Sequence, residues 1–419
     1  MKIKVAEMPY EKVLELPKEK REKPVKPGIL FRTLLKTLSK PDLKATDFTY
    51  RTFGMERLGK DEPCLILMNH SSFIDLKIAS VVFSDRPFNI VCTSDGFVGK
   101  KWLMRNLGCI PTQKFVTDIA LVRDMKYCFD TLKTSVLMYP EASYSFDGTA
   151  TPLPESVGKS LKLLKVPVVM VKTYGAFSRD PLYNNLQLRK VKVSCDVTYL
   201  LSKEDIEEKS VKELNDILKE QFTFDNFRWQ QENDVSITED FRADYLNRVL
   251  FKCPHCGTEG KMEGKGTRIT CHACDAEHEL TEKGFLKGVN VSEKFSHIPD
   301  WYRWEREEVK KEVEENRYSL SLPVDICLIK NTKSVYKVGS GVLTHNSEGF
   351  RLSGCDGKLE FTQKPKDSYS LYADYYWYEI GDMICIGDKD VLYYCFPKVP
   401  GDFVAKARIA TEEMYKKEK

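Results

Sequence analysis

His70 and Asp75, in the stretch C-L-I-L-M-N-H-S-S-F-I-D over residues 64–75, have the types and spacing of a base and its holder. An imidazole takes a proton at one ring nitrogen when a carboxylate secures the other. The apolar run 65–68 suits a buried strand. Asn69, His70, Ser71 and Ser72 form a polar turn rich in helix-capping types. The mixed apolar segment 73–83 has helical spacing. These elements put His70 at a strand-to-helix junction, with Asp75 about a turn inside the helix. By spacing alone, an H-x-x-x-x-D pair also describes an ordinary capping or buried histidine.

A second constellation is C-P-H-C-G followed by C-H-A-C-D. Cys253 and Cys256, then Cys271 and Cys274, form two C-x-x-C knuckles separated by 14 residues. Each knuckle presents two thiolates, and four make a closed tetrahedral zinc site with no open position for substrate. The cofactor expected is therefore a structural Zn2+ in a zinc ribbon, with His255, His272 and His278 outside the ligand set. Matched knuckles disfavour a thioredoxin-like redox role.

The whole chain bounds the classes. At 419 residues it is long enough for two or three domains. Hydrophobic content of 42% and charged content of 30% describe a globular protein. A net charge of +3 provides no global field for nucleic acid, which is not expected as a partner. No apolar run reaches the roughly 20 residues of a membrane span. The opening M-K-I-K-V-A-E-M-P-Y lacks the apolar core expected of a signal peptide. Thirteen cysteines in such a chain point to reduced thiols and a cytoplasmic setting.

N-H-S-S-F-I-D after an apolar strand resembles the first motif of the glycerolipid acyltransferases, which acylate lysophosphatidic acid and related acceptors. The resemblance implies that His70 deprotonates an acceptor hydroxyl, which attacks an acyl thioester, while Asp75 orients the ring. G-K-K-W-L-M-R-N-L-G-C-I-P-T-Q-K-F resembles the second motif, with Lys114 near the position of the family's arginine; a plain solvated lysine is the other reading. P-E-A-S-Y-S-F-D-G resembles the third, P-E-G-x-R-S. Glu141 matches, Ala142 replaces the glycine and Tyr144 replaces an arginine associated with acceptor phosphate. A tyrosine cannot make that bidentate contact. Backbone amides near Ala142 and Ser143 are the expected oxyanion donors. V-P-V-V-M-V resembles the fourth motif, a core strand. The resemblance covers about half the chain. It implies acyl-CoA or acyl carrier protein as donor, a lysolipid as acceptor and a membrane surface as partner, with peripheral attachment. An aminolipid or glycolipid acceptor stands as the alternative, as does a non-catalytic adaptor binding lipid or protein.

The elements around these motifs divide the chain. Residues 1–27, Lys- and Pro-rich, read as a flexible basic arm. An α/β acyltransferase domain is expected over 28–245. It begins with a helix near 28–38 that either packs on the domain or lies in a membrane interface. The zinc ribbon follows at 250–285, then a charged helical linker at 286–318. Residues 319–419 alternate as seven short strands closed by a helix, a mostly β, barrel-like domain of pleckstrin-homology-like pattern. His345 reads as a loop residue, and 375–378 as a partly exposed aromatic run.

Overall fold

The computed structural model describes residues 3–115 and 118–418. Its first body is a seven-stranded sheet in the order Thr49–Phe53, Ser194–Leu201, Val168–Tyr174, Leu65–Met68, Ser135–Met138, Phe88–Thr93, Cys109–Thr112. Pairing is parallel except between Val168–Tyr174 and Ser194–Leu201. Leu65–Met68 lies at the centre and is wholly buried, so it reads as a continuous apolar run. Its side chains alternate between two cores. Ile66 and Met68 pack with Leu43 and Ile78 on one face, and Leu65 and Leu67 with Met125, Leu161 and Leu218 on the other. The helices Ile29–Ala45 and Asp75–Val82 cover the first face.

A small four-stranded antiparallel sheet follows, Leu286–Gly288, Glu277–Leu280, Arg268–Cys271 and Met262–Lys265. The C-terminal body is strand-rich. Its order is Leu359–Gln363, Gly349–Gly354, Val335–Asn346, Leu320–Leu328, Leu392–Pro397, Gly381–Gly387, Tyr372–Trp377. The first and last of these do not pair with each other, so among the described residues the barrel expected from the pattern is an open sheet. The reason is physical: alternation fixes strands, whereas closure depends on register and shear. Helix Phe403–Lys417 packs on one face of the sheet.

Three further expectations change. The described part of the arm at 1–27, residues 3–27, contains a strand, Val5–Glu7, and a helix, Tyr10–Glu15, with neither over 16–27. Val5–Glu7 joins the C-terminal sheet beside Val335, Val13 is fully buried, and Arg21 pairs with Asp118 and Asp124 at 3.0 and 2.8 Å. A strap thus ties both large bodies together, because residues such as Ile3 and Val13 are placed against partners that local composition does not reveal, while Val5, Leu14 and Val25 stay exposed. The linker is not a solvated span either. Helix Ile298–Glu314 buries Trp301, Tyr302, Glu305, Val309 and Val313, spaced three and four apart, and packs on Phe403–Lys417. His345 sits in a strand, buried, with Nδ1 3.0 Å from the Tyr318 hydroxyl and its ring stacked on Phe350.

Candidate active site

Leu65–Met68 ends at Asn69, whose side chain pins the next turn to the adjacent strand. Its Oδ1 accepts from the Thr173 amide at 2.8 Å, and its Nδ2 donates to Ser71 Oγ at 3.1 Å. Helix Asp75–Val82 starts at Asp75 itself. Asp75 is 1% exposed, and its Oδ2 accepts from the Ser71 and Ser72 amides at 2.8 and 3.0 Å. The same oxygen lies 3.1 Å from His70 Nδ1. A carboxylate there selects the tautomer with hydrogen on Nδ1 and leaves Nε2 as the acceptor.

The imidazole is sandwiched. Tyr139 stacks on one side at 4.1 Å between centroids and Tyr144 packs at 3.9 Å. Side-chain exposure is 17%, so approach is confined to the ring edge. Burial, then the nearby Lys114 charge, holds His70 well below its ordinary value and so neutral at pH 7. Burial pushes Asp75 up to about 7 against the Ser72 and Ser71 amides that lower it.

The sequence-predicted site residues fall into different places. Glu141 is 3% exposed and accepts the His70 amide on Oε2 at 2.7 Å. Its Oε1 accepts the Thr151 amide at 2.8 Å, so Glu141 braces the His70 turn from the facing loop. Ala142, at φ +57°, donates its amide to the Tyr139 carbonyl at 3.1 Å, which takes it out of the oxyanion role expected of it. Ser143 is buried beside it. Tyr144 lies on the His70 ring and stacks on Phe73 at 5.3 Å. Its replacement of an arginine thus has a packing consequence the sequence did not disclose. Lys114 is half-buried, its Nζ 4.2 Å from the centroid of the Tyr372 ring in the C-terminal sheet.

Several residues escaped sequence reasoning. Asn69, Tyr139 and Thr151 carry no motif signal beyond adjacency. Tyr372 and Asp95 come from opposite bodies, with Tyr372 donating its hydroxyl hydrogen to Asp95 Oδ2 at 3.1 Å. The aromatic run is largely inward: Tyr375 and Trp377 are 1% and 3% exposed.

The carboxyls here fix two pH expectations. Asp75 and Glu141 both stand near 7 through burial. The fold therefore keeps protons on these two carboxyls that an unfolded chain releases near ~4, so their contribution to stability falls as pH rises from ~4 through about 7. We expect a melting temperature higher at pH 5 than at pH 8, with Asp75→Asn narrowing the gap. Any reaction that uses His70 as its base should show an acidic limb centred near 7, where Asp75 ionises, and Asp75→Asn should flatten it.

The cysteine cluster lies elsewhere. The Sγ atoms of Cys253, Cys256, Cys271 and Cys274 fall within 4.8 Å of one another. Cys253–Cys274 and Cys256–Cys271 are each 3.7 Å apart. A tetrahedron of ~2.3 Å metal–sulfur bonds has edges of about 3.8 Å, so the donor set fits one metal ion. Each knuckle closes through a left-handed residue, Gly257 at φ +74° and Asp275 at φ +56°, whose amides donate to the Cys253 and Cys271 carbonyls. His272 sits 2.8 Å from Glu263, and His255 faces His278 at 3.2 Å.

Comparison with known proteins bears on the first of these sites. Residues 50–172 match the Acyltransferase family model. Over this segment the chain is similar to that family. The segment contains His70, Asp75, Lys114 and the 141–144 loop. A curated relative, the chloroplastic 1-acyl-sn-glycerol-3-phosphate acyltransferase BAT2 of Brassica napus, is 28% identical over 127 residues, 29% of this chain. The match spans 36% of that relative's length. The crystal structure of the 1-acyl-sn-glycerophosphate (LPA) acyltransferase PlsC from Thermotoga maritima aligns at a TM-score of 0.36 and 17% identity. That alignment covers 46% of this chain and 76% of that one.

Proposed function

We propose that the protein moves an acyl group from an acyl thioester, acyl-CoA or acyl carrier protein, to the hydroxyl of a lysophospholipid or related lipid acceptor. The observation that carries this is the imidazole pinned by Asp75 and covered on both faces, with Nε2 left at the open edge. Nε2 takes the hydroxyl proton as the oxygen attacks the thioester carbonyl. Asp75 stabilises the imidazolium. Collapse of the tetrahedral intermediate expels the thiolate, which recovers the proton from Nε2. The Ser143 amide is the remaining candidate from the 142–143 pair to meet the oxyanion. The test is thiol release dependent on added lysolipid, with the acylated product identified by mass. Thiol release without any acylated product would overturn the reading in favour of a hydrolase, and no release with any acceptor would favour an adaptor.

Tyr144 supports a second acceptor class, non-phosphorylated aminolipids or glycolipids, because no arginine stands where the resemblance puts a phosphate contact. Tyr144→Arg is expected to shift preference toward phosphate-bearing lysolipids, at some cost in rate from the lost stacking on His70. Equal selectivity across phosphorylated and neutral acceptors would remove Tyr144 from acceptor recognition.

We infer peripheral attachment to a membrane surface. Among the described residues no helix is long and apolar enough to cross a membrane. Helix Ile29–Ala45 nevertheless turns Leu30, Leu34 and Leu38 outward, with Leu30 74% and Leu38 66% exposed, beside the exposed Trp102. Such a face suits shallow insertion. Leu30→Asp with Leu38→Asp should reduce co-sedimentation with vesicles and leave the melting temperature unchanged. We also infer that the four cysteines hold one structural zinc ion, away from the proton transfer at His70.

A further inference from the structure

The C-terminal sheet presents one face to the body built on the seven-stranded sheet. Tyr372, Met383, Cys385, Tyr394 and Phe396 pack there with Val98, and Phe115 rests against them. Asp374 lies two residues along the strand from Tyr372, on the same side. Its Oδ1 is buried and has no hydrogen-bond donor, and the same holds for Oδ1 of Asp95, a residue 3% exposed. The two carboxylates lie within electrostatic reach of the His70 site: besides burial, the charges of both act on Tyr144, whose ring is 3.9 Å from that of His70, and on Tyr378 and Lys114. Lys114 and Lys100 are among the cations nearby, each over an aromatic ring, of Tyr372 at 4.2 Å and Tyr378 at 5.8 Å, and the charge of Arg408 also acts on Lys114. Beyond Lys114 and Tyr372 opens a cavity of about 440 Å³, walled also by Phe115, Phe361, Thr362 and Leu392.

These surroundings are ill suited to a bare phosphate dianion. Burial raises the Tyr144 hydroxyl, and Asp75, Asp374, Asp180 and Asp95 all add to it. What they offer is two carboxylate oxygens without donors, among tyrosine faces. An ammonium group matches both features, with three N–H donors for the carboxylates and a positive charge for the rings. Lys114 can meet an anion elsewhere on the same head. We propose that the C-terminal sheet completes the acceptor site and that Asp374, with Asp95, selects an acceptor whose head carries an ammonium group. This rests on the acyl-transfer reading above.

The test uses the full chain, a medium-chain acyl-CoA and thiol release. Acceptors are a lysolipid with a phosphoethanolamine head, one with an amino-acid head lacking phosphate, the N-acetylated form of each, and a phosphate-only lysolipid. N-acetylation removes the charge and keeps the rest. It should lower kcat/KM at least about tenfold in the wild type and by less than about twofold in Asp374→Asn. The two amine arms show whether the ammonium belongs to a phospholipid or to an amino-acid head. No effect of N-acetylation, an equal effect in Asp374→Asn, or preference for the phosphate-only lysolipid would overturn the proposal while acyl transfer stood. If the wild type releases no thiol with any acceptor, the acyl-transfer reading fails. Calorimetric titration of each amine and N-acetyl pair then still decides recognition. Selective binding of the amine, lost in Asp374→Asn, supports it; equal binding overturns it.

Discussion

His70→Ala is expected to abolish acyl transfer and leave the protein folded. The ring contributes no hydrogen bond to the loop's backbone. The bonds that hold the turn, His70 amide to Glu141 and Ser145 amide to the His70 carbonyl, are made by the main chain and survive the substitution. General-base catalysis is worth ~10²–10⁴-fold, and that is the loss anticipated. Asp75→Asn should cost less, since an amide oxygen can still accept from Nδ1 but carries no charge to balance an imidazolium. Glu141→Ala is a control of a different kind. It frees the His70 and Thr151 amides together and should lower both the melting temperature and kcat. A folded His70→Ala protein with full turnover would sink the base assignment.

How far these features were legible depends on how local they are. His70 and Asp75 meet because five residues of chain carry both, so their contact lay within reach of spacing and turn chemistry. The central strand and the seven C-terminal strands were equally legible, since alternation and apolar runs are local. The tyrosine sandwich was not: Tyr139 and Tyr144 come from a loop some seventy residues on, and nothing in P-E-A-S-Y says which way its ring points. The buried stripe of helix Ile298–Glu314 was visible as spacing, with Trp301, Glu305, Val309 and Val313 following one another by four. It was masked by the charged residues between them. The strap at 3–27 and the Tyr372–Asp95 contact depend on two bodies docking, which no local pattern encodes.

The docking also sets what metal removal should do. A ribbon of few apolar residues folds only with its ion, which in zinc-finger peptides supplies about 10 kcal/mol or more. Here the ribbon is no satellite. Cys253, Cys271 and Ile269 belong to the same apolar cluster as Trp301, Val309 and the C-terminal sheet's Ile326 and Tyr375. Trp301 Nε1 donates to the Lys252 carbonyl at 3.0 Å, and Glu305 accepts the Lys252 amide at 2.7 Å. Cys271→Ser or chelation should therefore unfold residues 250–285 and loosen helix Ile298–Glu314 with them. The seven-stranded sheet keeps its own two cores and should melt as a separate, metal-insensitive transition. His70 stays in place, so acyl transfer at saturating acceptor should persist, while the KM for acceptor rises as the C-terminal sheet drifts from Lys114. One zinc per chain is expected by elemental analysis. Protein purified with no zinc and an unaltered melting profile, or acyl transfer at saturating acceptor lost in step with zinc while the seven-stranded sheet stays folded, would overturn the structural role of the four thiolates.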